Sequence, residues 1–67
     1  MSVARVTEIT AGSSKSFDDA MEKGIKRANK TLRNVEGAWI QDQKLIIKSG
    51  KISEYRVNMK ISFIIDE

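Results

Sequence analysis

The side chains with the clearest chemical potential are a single tryptophan and the polar residues around it. Trp39 is the only tryptophan of the chain. Amide and carboxylate groups follow it directly at Gln41, Asp42 and Gln43. An indole presents a broad π face on which a planar heterocycle stacks. Arg56 is a planar cation with five donors, which suits ring carbonyls or a phosphate. These residue types predict a binding site for a flat heterocyclic small molecule.

A structural interpretation of the same residues stays open. Trp39 would then pack in a contact between subunits, and Arg56 would pair with an acid across strands or subunits, the candidates being Glu54, Asp42 and Glu36. Carboxylates for a hard cation such as calcium exist, but no loop spaces them as an EF-hand does. A calcium site would therefore combine several chains, and we predict no metal site within one chain.

The composition excludes several kinds of enzyme. The chain has 67 residues with no His and no Cys. Without Cys there is no disulfide framework and no thiolate zinc site, and without His there is no nucleophile activated by an imidazole. No motif supplies a cleft with a base tuned to neutral pH. We therefore predict no catalytic residues and no enzymatic activity.

Partners and location are predicted from hydropathy and charge. The first five residues lack the apolar run of a secretory signal, and no stretch approaches the roughly 20 apolar residues that cross a bilayer. We expect a cytoplasmic protein with no membrane partner. The net charge is +3, and we expect no nucleic-acid partner. A basic run without interleaved aromatics is explained by a solvated helix face and by the negative end of a helix; it comprises Lys23, Lys26, Arg27, Lys30 and Arg33.

Four elements must position these residues within a single domain over residues 1–67. The helix is indicated by apolar residues at i, i+3, i+4 and i+7 from Phe17 to Val35. Strands are predicted before and after it, at Val3–Thr10, Ala38–Lys48 and Ile52–Ile65, with a turn at residues 49–51. The β-α-β-β order predicts an α+β fold, a three-stranded antiparallel sheet that wraps one helix.

The strand patterns predict which face of the sheet each side chain occupies. In the third strand the odd-numbered residues from Tyr55 to Ile65 are apolar and should meet the helix. If Ala38 and Ile40 point to the helix side, the opposite side carries Gly37, Trp39, Gln41 and Gln43. A strand of this length extends about 46 Å, at ~3.3 Å per residue, and would overhang a compact core. With an uncovered tryptophan as well, these features predict a homo-oligomer.

Three stretches of the chain resemble the dodecins, small β-α-β-β proteins that assemble as hollow dodecamers and hold flavins. They are the strand-to-helix segment 10–20, the helix segment 27–35 and the last-strand segment 54–63. The resemblance implies a homododecamer that binds FMN or riboflavin for storage or sequestration.

Two positions depart from the flavin-binding members. Those proteins have a stacking Trp shortly after the helix and a Gln on the last strand, where this chain has Gly37 and Arg56. The departure resembles a dodecin-like subgroup that includes members described as calcium-binding. Trp39 lies two residues past Gly37 and should face the same side, about 7 Å along the strand. The alternative function is thus an assembly without flavin that binds a cation such as calcium or has a structural role. The candidate site comprises Gly37, Trp39, Gln41, Asp42, Gln43 and Arg56.

Overall fold

The chain folds as the predicted β-α-β-β unit in a computed structural model that describes residues 3–65. The elements are β1 (Val3–Ser13), α1 (Phe17–Thr31), β2 (Val35–Lys48) and β3 (Lys51–Ile65). The strands form one antiparallel sheet in the order β1-β3-β2, so β3 lies in the centre. We call the side of the sheet that carries α1 the helix face and the other side the open face. Within the described residues, no helix is both long enough and apolar enough to span a membrane.

Hydrogen bonds fix the start of α1. Ser16 is the N-cap residue, and its hydroxyl accepts a hydrogen bond from the Asp19 N–H at 3.0 Å. The buried hydroxyl of Ser13 donates to Asp19 Oδ2 at 2.5 Å and accepts from the Lys15 N–H at 2.9 Å. The Ser13 bond, followed by the bond from Lys23, holds the pKa of Asp19 below its ordinary value of 3.8. The first turn of the helix is therefore anchored to the end of β1.

The end of α1 comes earlier than the apolar pattern predicts. The pattern continues to Val35, but the helix stops at Thr31 and Val35 already begins β2. Asn34 between them has φ 58°, in the left-handed region that asparagine adopts more readily than most residues. Because the chain turns there, β2 begins three residues before the predicted Ala38.

The core lies between α1 and the central strand. Val57, Met59 and Ile61 of β3 are fully buried, which confirms the alternation predicted for this strand. A side chain at Gly24 of α1 would collide with the Met59 methyl group and would lie 3.0 Å from Ala11 Cβ. Helix and sheet are therefore in close contact at this glycine. Two small residues of α1 complete the buried cluster, Ala20 and Ala28.

The β2–β3 hairpin extends beyond the helix, as the strand length predicts. Phe17, the first residue of α1, packs edge-on against Tyr55 with ring centroids 5.2 Å apart. The hairpin continues past this contact, and the molecule measures 51 × 19 × 14 Å. Leu45 pairs with Tyr55 and so lies on the helix face, and Ile47 follows two residues later on the same face. Ile52 pairs with Ile47 and shares this face, because a second register shift leaves Ser53 as an extra residue in β3. The three exposed residues Leu45, Ile47 and Ile52 form what we call the hairpin patch.

A two-residue turn closes the hairpin. Lys48 pairs with Lys51, and between them Ser49 and Gly50 have φ 52° and 74°. Two consecutive positive φ angles are typical of the type I′ turn, whose twist matches that of the flanking strands. The predicted turn is confirmed, and β3 begins one residue before the predicted Ile52.

Candidate functional site

The open face presents Trp39 in a row of three side chains across the sheet. Residues directly opposite each other on neighbouring strands share a face. Trp39 of β2 pairs with Lys60 of β3, which pairs with Glu8 of β1. The indole is 49% exposed and lies on the side away from α1, as predicted. The indole is therefore accessible on the open face of the single subunit.

Lys60 holds the centre of this row. Its Nζ lies over the Trp39 ring, 6.0 Å from the centroid, at the outer limit of a cation–π contact. The same Nζ is 3.8 Å from Glu8 Oε1. The alternation predicted for the third strand implies that the even-numbered Lys60 lies away from the helix, but the sequence interpretation did not include it in the site. The register between β2 and β3 was the missing information.

The next row along the open face is a hydrogen-bonded polar chain. Asn58 of β3 donates through Nδ2 to Asp42 Oδ1 at 2.5 Å and accepts at Oδ1 from the Thr10 hydroxyl at 2.7 Å. Asp42, a predicted site residue, is thus fixed by a side chain that the sequence interpretation missed. A depression of about 390 Å³ includes these three residues together with Glu8 and Gln41. One chain therefore places amide, hydroxyl and carboxylate groups beside the indole row.

A β-bulge in β2 changes which side chains of this strand share a face with Trp39. Ile40 pairs with Met59 and Asp42 with Asn58, so Gln41 is an extra residue in β2. The bulge brings Asp42 to the open face with Trp39. The prediction that Gln43 shares the face of Trp39 is wrong, because Gln43 pairs with Val57 and so belongs to the helix face. The prediction assumed strict alternation, which an extra residue inverts.

Arg56 is held by an ion pair on its own strand. Its guanidinium lies 2.8 Å from Glu54 Oε1, one of the acids considered for it in the structural interpretation. The Glu54 carboxylate also lies directly against Gly12 of β1, in the space that a side chain there would occupy. Arg56 therefore lies on the open face, and its Nη2 is already paired with the Glu54 carboxylate.

Gly37 leaves the open face without a side chain in the row beyond Trp39. It pairs with Ser62, whose hydroxyl donates to the Gly37 carbonyl at 3.3 Å. A Cβ at this position would lie 3.2 Å from the Ser62 Oγ. The nearest aromatic side chain on this strand is Trp39, two residues further along β2.

A single chain provides few ligands for a metal ion. Within residues 3–65, no group of three or more His, Cys, Asp or Glu side chains lies close enough together to hold one. Glu8 and Asp42 both line the same depression, but each already contacts a neighbour, Lys60 or Asn58. A cation site on this face would need carboxylates from further copies of the chain.

Comparison with known proteins decides the family. The dodecin family model matches residues 3–66. The chain belongs to the dodecin family. A dodecin from Streptomyces davaonensis is 33% identical, with a TM-score of 0.94 over 98% of this chain and 97% of that one. A dodecin from Streptomyces coelicolor is 27% identical, with a TM-score of 0.94 over 98% of this chain and 94% of that one.

A third similar structure is the calcium dodecin from Mycobacterium tuberculosis, described as a calcium-chelating antigen with a calcium-binding site. It is 23% identical, with a TM-score of 0.85 over 96% of this chain and 91% of that one, and shows that the fold is shared. No curated protein matches the chain. The dodecin fold implied by the sequence resemblance is thus confirmed.

Proposed function

We propose that this dodecin assembles as a homododecamer of its single 1–67 domain in the cytoplasm, and that the assembly binds and stores FMN or riboflavin without catalysing a reaction. The observation that carries the proposal is Trp39, half exposed on the open face. An exposed indole on an uncovered sheet face is typical of a surface that a partner subunit or a flat ligand covers. Membership of the dodecin family makes a flavin the leading ligand.

The open face has the groups that such a ligand requires. The Trp39 ring supplies a stacking surface, and the polar chain Thr10–Asn58–Asp42 lies in the adjacent row. Amide and carboxylate groups in the row next to the indole can hydrogen-bond the nitrogens and carbonyls along the edge of a flavin ring. One chain covers the ligand from one side only, so a second subunit closes the site.

The test combines the mass of the assembly with flavin binding. Size-exclusion chromatography with light scattering gives the number of subunits, while FMN or riboflavin is titrated and the emission of Trp39, the only tryptophan, is recorded. We expect a species of about twelve subunits in which stacking quenches both emissions. Trp39→Phe should weaken binding and Trp39→Leu should weaken it further, roughly two- to tenfold in all, the scale of an aromatic stacking contact.

Val6→Leu is the matched control, since Val6 is also exposed on the open face but lies on β1, in the row that pairs with Ser62. It should bind flavin as the unchanged chain does. If the protein is a dodecamer but its Trp39 emission does not change when either flavin is added, flavin storage is contradicted and the proposed assembly is supported. A monomer would contradict the assembly.

A dodecin assembly without flavin is the second candidate, and two observations favour it. Gly37 and Arg56 occupy the positions where flavin-binding dodecins have Trp and Gln, and Arg56 is paired with Glu54. Such an assembly would bind a cation such as calcium through carboxylates of several copies, or serve a structural role. Calorimetric titration of calcium tests it: binding that is lost in Asp42→Asn and kept in Asp18→Asn, an exposed acid of α1, would support it.

A further inference from the structure

The side chain of Lys60 occupies the space over Trp39 in which the proposed ligand would stack. Its ammonium lies over the face of the Trp39 ring, 6.0 Å from the centroid. The side chain comes from β3, the central strand, and is one third exposed. A planar ring in van der Waals contact with the indole lies about 3.5–4.0 Å above it. Ring and ammonium therefore compete for the same space, and binding displaces Lys60.

Among residues 3–65, the displaced ammonium has only a weak alternative partner. Glu8 is the acid that the register places beside Lys60, but the separation is 3.8 Å and the Glu8 side chain is 65% exposed. Ion pairs of this kind contribute little, because water competes for both charges. Lys60 is thus held on one side by a weak ion pair and on the other by a marginal cation–π contact.

The charge of the ligand determines the outcome of this competition. A neutral flavin removes the cation–π contact and offers the ammonium only uncharged carbonyl and hydroxyl acceptors. A ligand with an anionic group within reach replaces that contact with a charge-assisted hydrogen bond. We propose that Lys60 is a specificity-determining residue that favours a phosphorylated flavin, FMN, over neutral riboflavin. The inference rests on the proposed flavin binding at Trp39.

The experiment compares two flavins that differ by one phosphate. Dissociation constants of FMN and riboflavin are measured by Trp39 quenching for the unchanged chain, Lys60→Gln and Lys60→Arg, each verified as an intact assembly by light scattering. The unchanged chain should bind FMN more tightly by roughly two- to fivefold, the scale of one exposed charge contact. Lys60→Gln should shift the two ligands in opposite directions: riboflavin binds more tightly and FMN more weakly. Lys60→Arg keeps the cation and should keep the preference for FMN.

Lys44→Gln is the matched control. Lys44 is an exposed lysine of β2 that pairs with Arg56 and so lies on the same open face, outside the Trp39 row. Its loss should leave the ratio of the two constants within about twofold, since exposed charges at a distance are screened. The FMN preference of the unchanged chain should also decrease as salt rises.

Two results would overturn the inference while leaving flavin storage in place. One is equal affinity of the unchanged chain for both flavins. The other is a change of both constants in the same direction and by the same factor in Lys60→Gln, which would indicate a general effect on the site. Failure of the unchanged chain to bind either flavin is a different result, because it contradicts the proposed function and the inference with it.

Discussion

The hairpin patch provides a sharp test of assembly. Leu45, Ile47 and Ile52 lie on the helix face beyond the start of α1, where each stays about half exposed. If the assembly buries this overhang against a second copy, Ile47→Asp introduces a carboxylate into an apolar contact. We expect the variant to keep its fold, since Ile47 contributes little to the core of the subunit, and to lose its assembly.

The expected magnitude comes from the exposure of the side chain. Complete burial of an isoleucine is worth about 1.5–3 kcal/mol. Ile47 is 54% exposed, so burying this exposed part in the assembly contributes about 1–1.5 kcal/mol per copy by the same scale. The uncompensated burial of a charge adds several kcal/mol more. A total of about 3 kcal/mol per contact weakens association by about a hundredfold or more, because 1.4 kcal/mol is a factor of ten.

The assay is light scattering after size exclusion over a series of protomer concentrations, with circular dichroism as the check of fold. Ser49→Asp is the control: it makes the same change of charge in the same hairpin, at a turn position whose positive φ suits aspartate. Ile47→Ser serves as a milder polar variant. An Ile47→Asp chain that elutes as the unchanged assembly at every concentration would refute burial of the hairpin patch between copies.

Three further predictions concern the subunit, and all are compared at a fixed protomer concentration. Met59→Ala should destabilise the protein by about 2–5 kcal/mol in urea unfolding because Met59 is fully buried, whereas Lys51→Ala at the exposed turn should change little. Asp19→Asn should make the stability of the protein less sensitive to acid. The Ser13 hydrogen bond lowers the pKa of Asp19, so the stabilisation from this carboxylate is complete above about pH 4 and is lost as the pH falls through the lowered pKa. Thermal midpoints across that range measure the difference, and equal acid sensitivity of the two chains would contradict the sign. Gly50→Ala should cost about 1 kcal/mol through its φ of 74° alone, since nothing lies near the added carbon, and Gly50→Asn should cost less.

The element order and the core were accessible from the sequence because both depend on local periodicity. The alternation from Tyr55 to Ile65 has a period of two, so it assigns Val57, Met59 and Ile61 to one face of a strand without knowledge of its neighbours. The apolar residues at i, i+3, i+4 and i+7 likewise predicted that the helix starts at Phe17, where α1 begins. The dodecin resemblance added the assembly as an expectation.

Element ends were less accessible because they depend on single residues. The chain leaves the helical conformation before Asn34 although apolar residues continue at helical spacing to Val35. In the same way β1 continues through Gly12 to Ser13, beyond the predicted end at Thr10, because β3 is long enough to pair with it. Small residues that end an isolated strand are tolerated where a partner strand provides hydrogen bonds.

The composition of the candidate site depended on register, which the sequence does not state. Lys60 and Asn58 enter the site only because β3 lies between β1 and β2 and pairs them with Trp39 and Asp42. The bulge at Gln41 removes Gln43 from the same face. The edge strand β2 is polar at every position from Gln41 to Lys44, so no hydrophobic pattern specified where its alternation would change.

The central position of β3 has a consequence for how the protein is made. β1 and β2 have no pairing with each other in the sheet; each pairs only with β3, which follows both along the chain. The same strand carries Val57, Met59 and Ile61, so a nascent chain that has not yet reached these residues has neither a sheet nor a core. The sheet therefore forms only after the last element is made, and each residue pair between β1 and β3 spans 42 residues or more, the shortest being Ser13 with Tyr55. In the proposed assembly, subunits would therefore associate only after synthesis of β3, so that assembly follows translation of each chain.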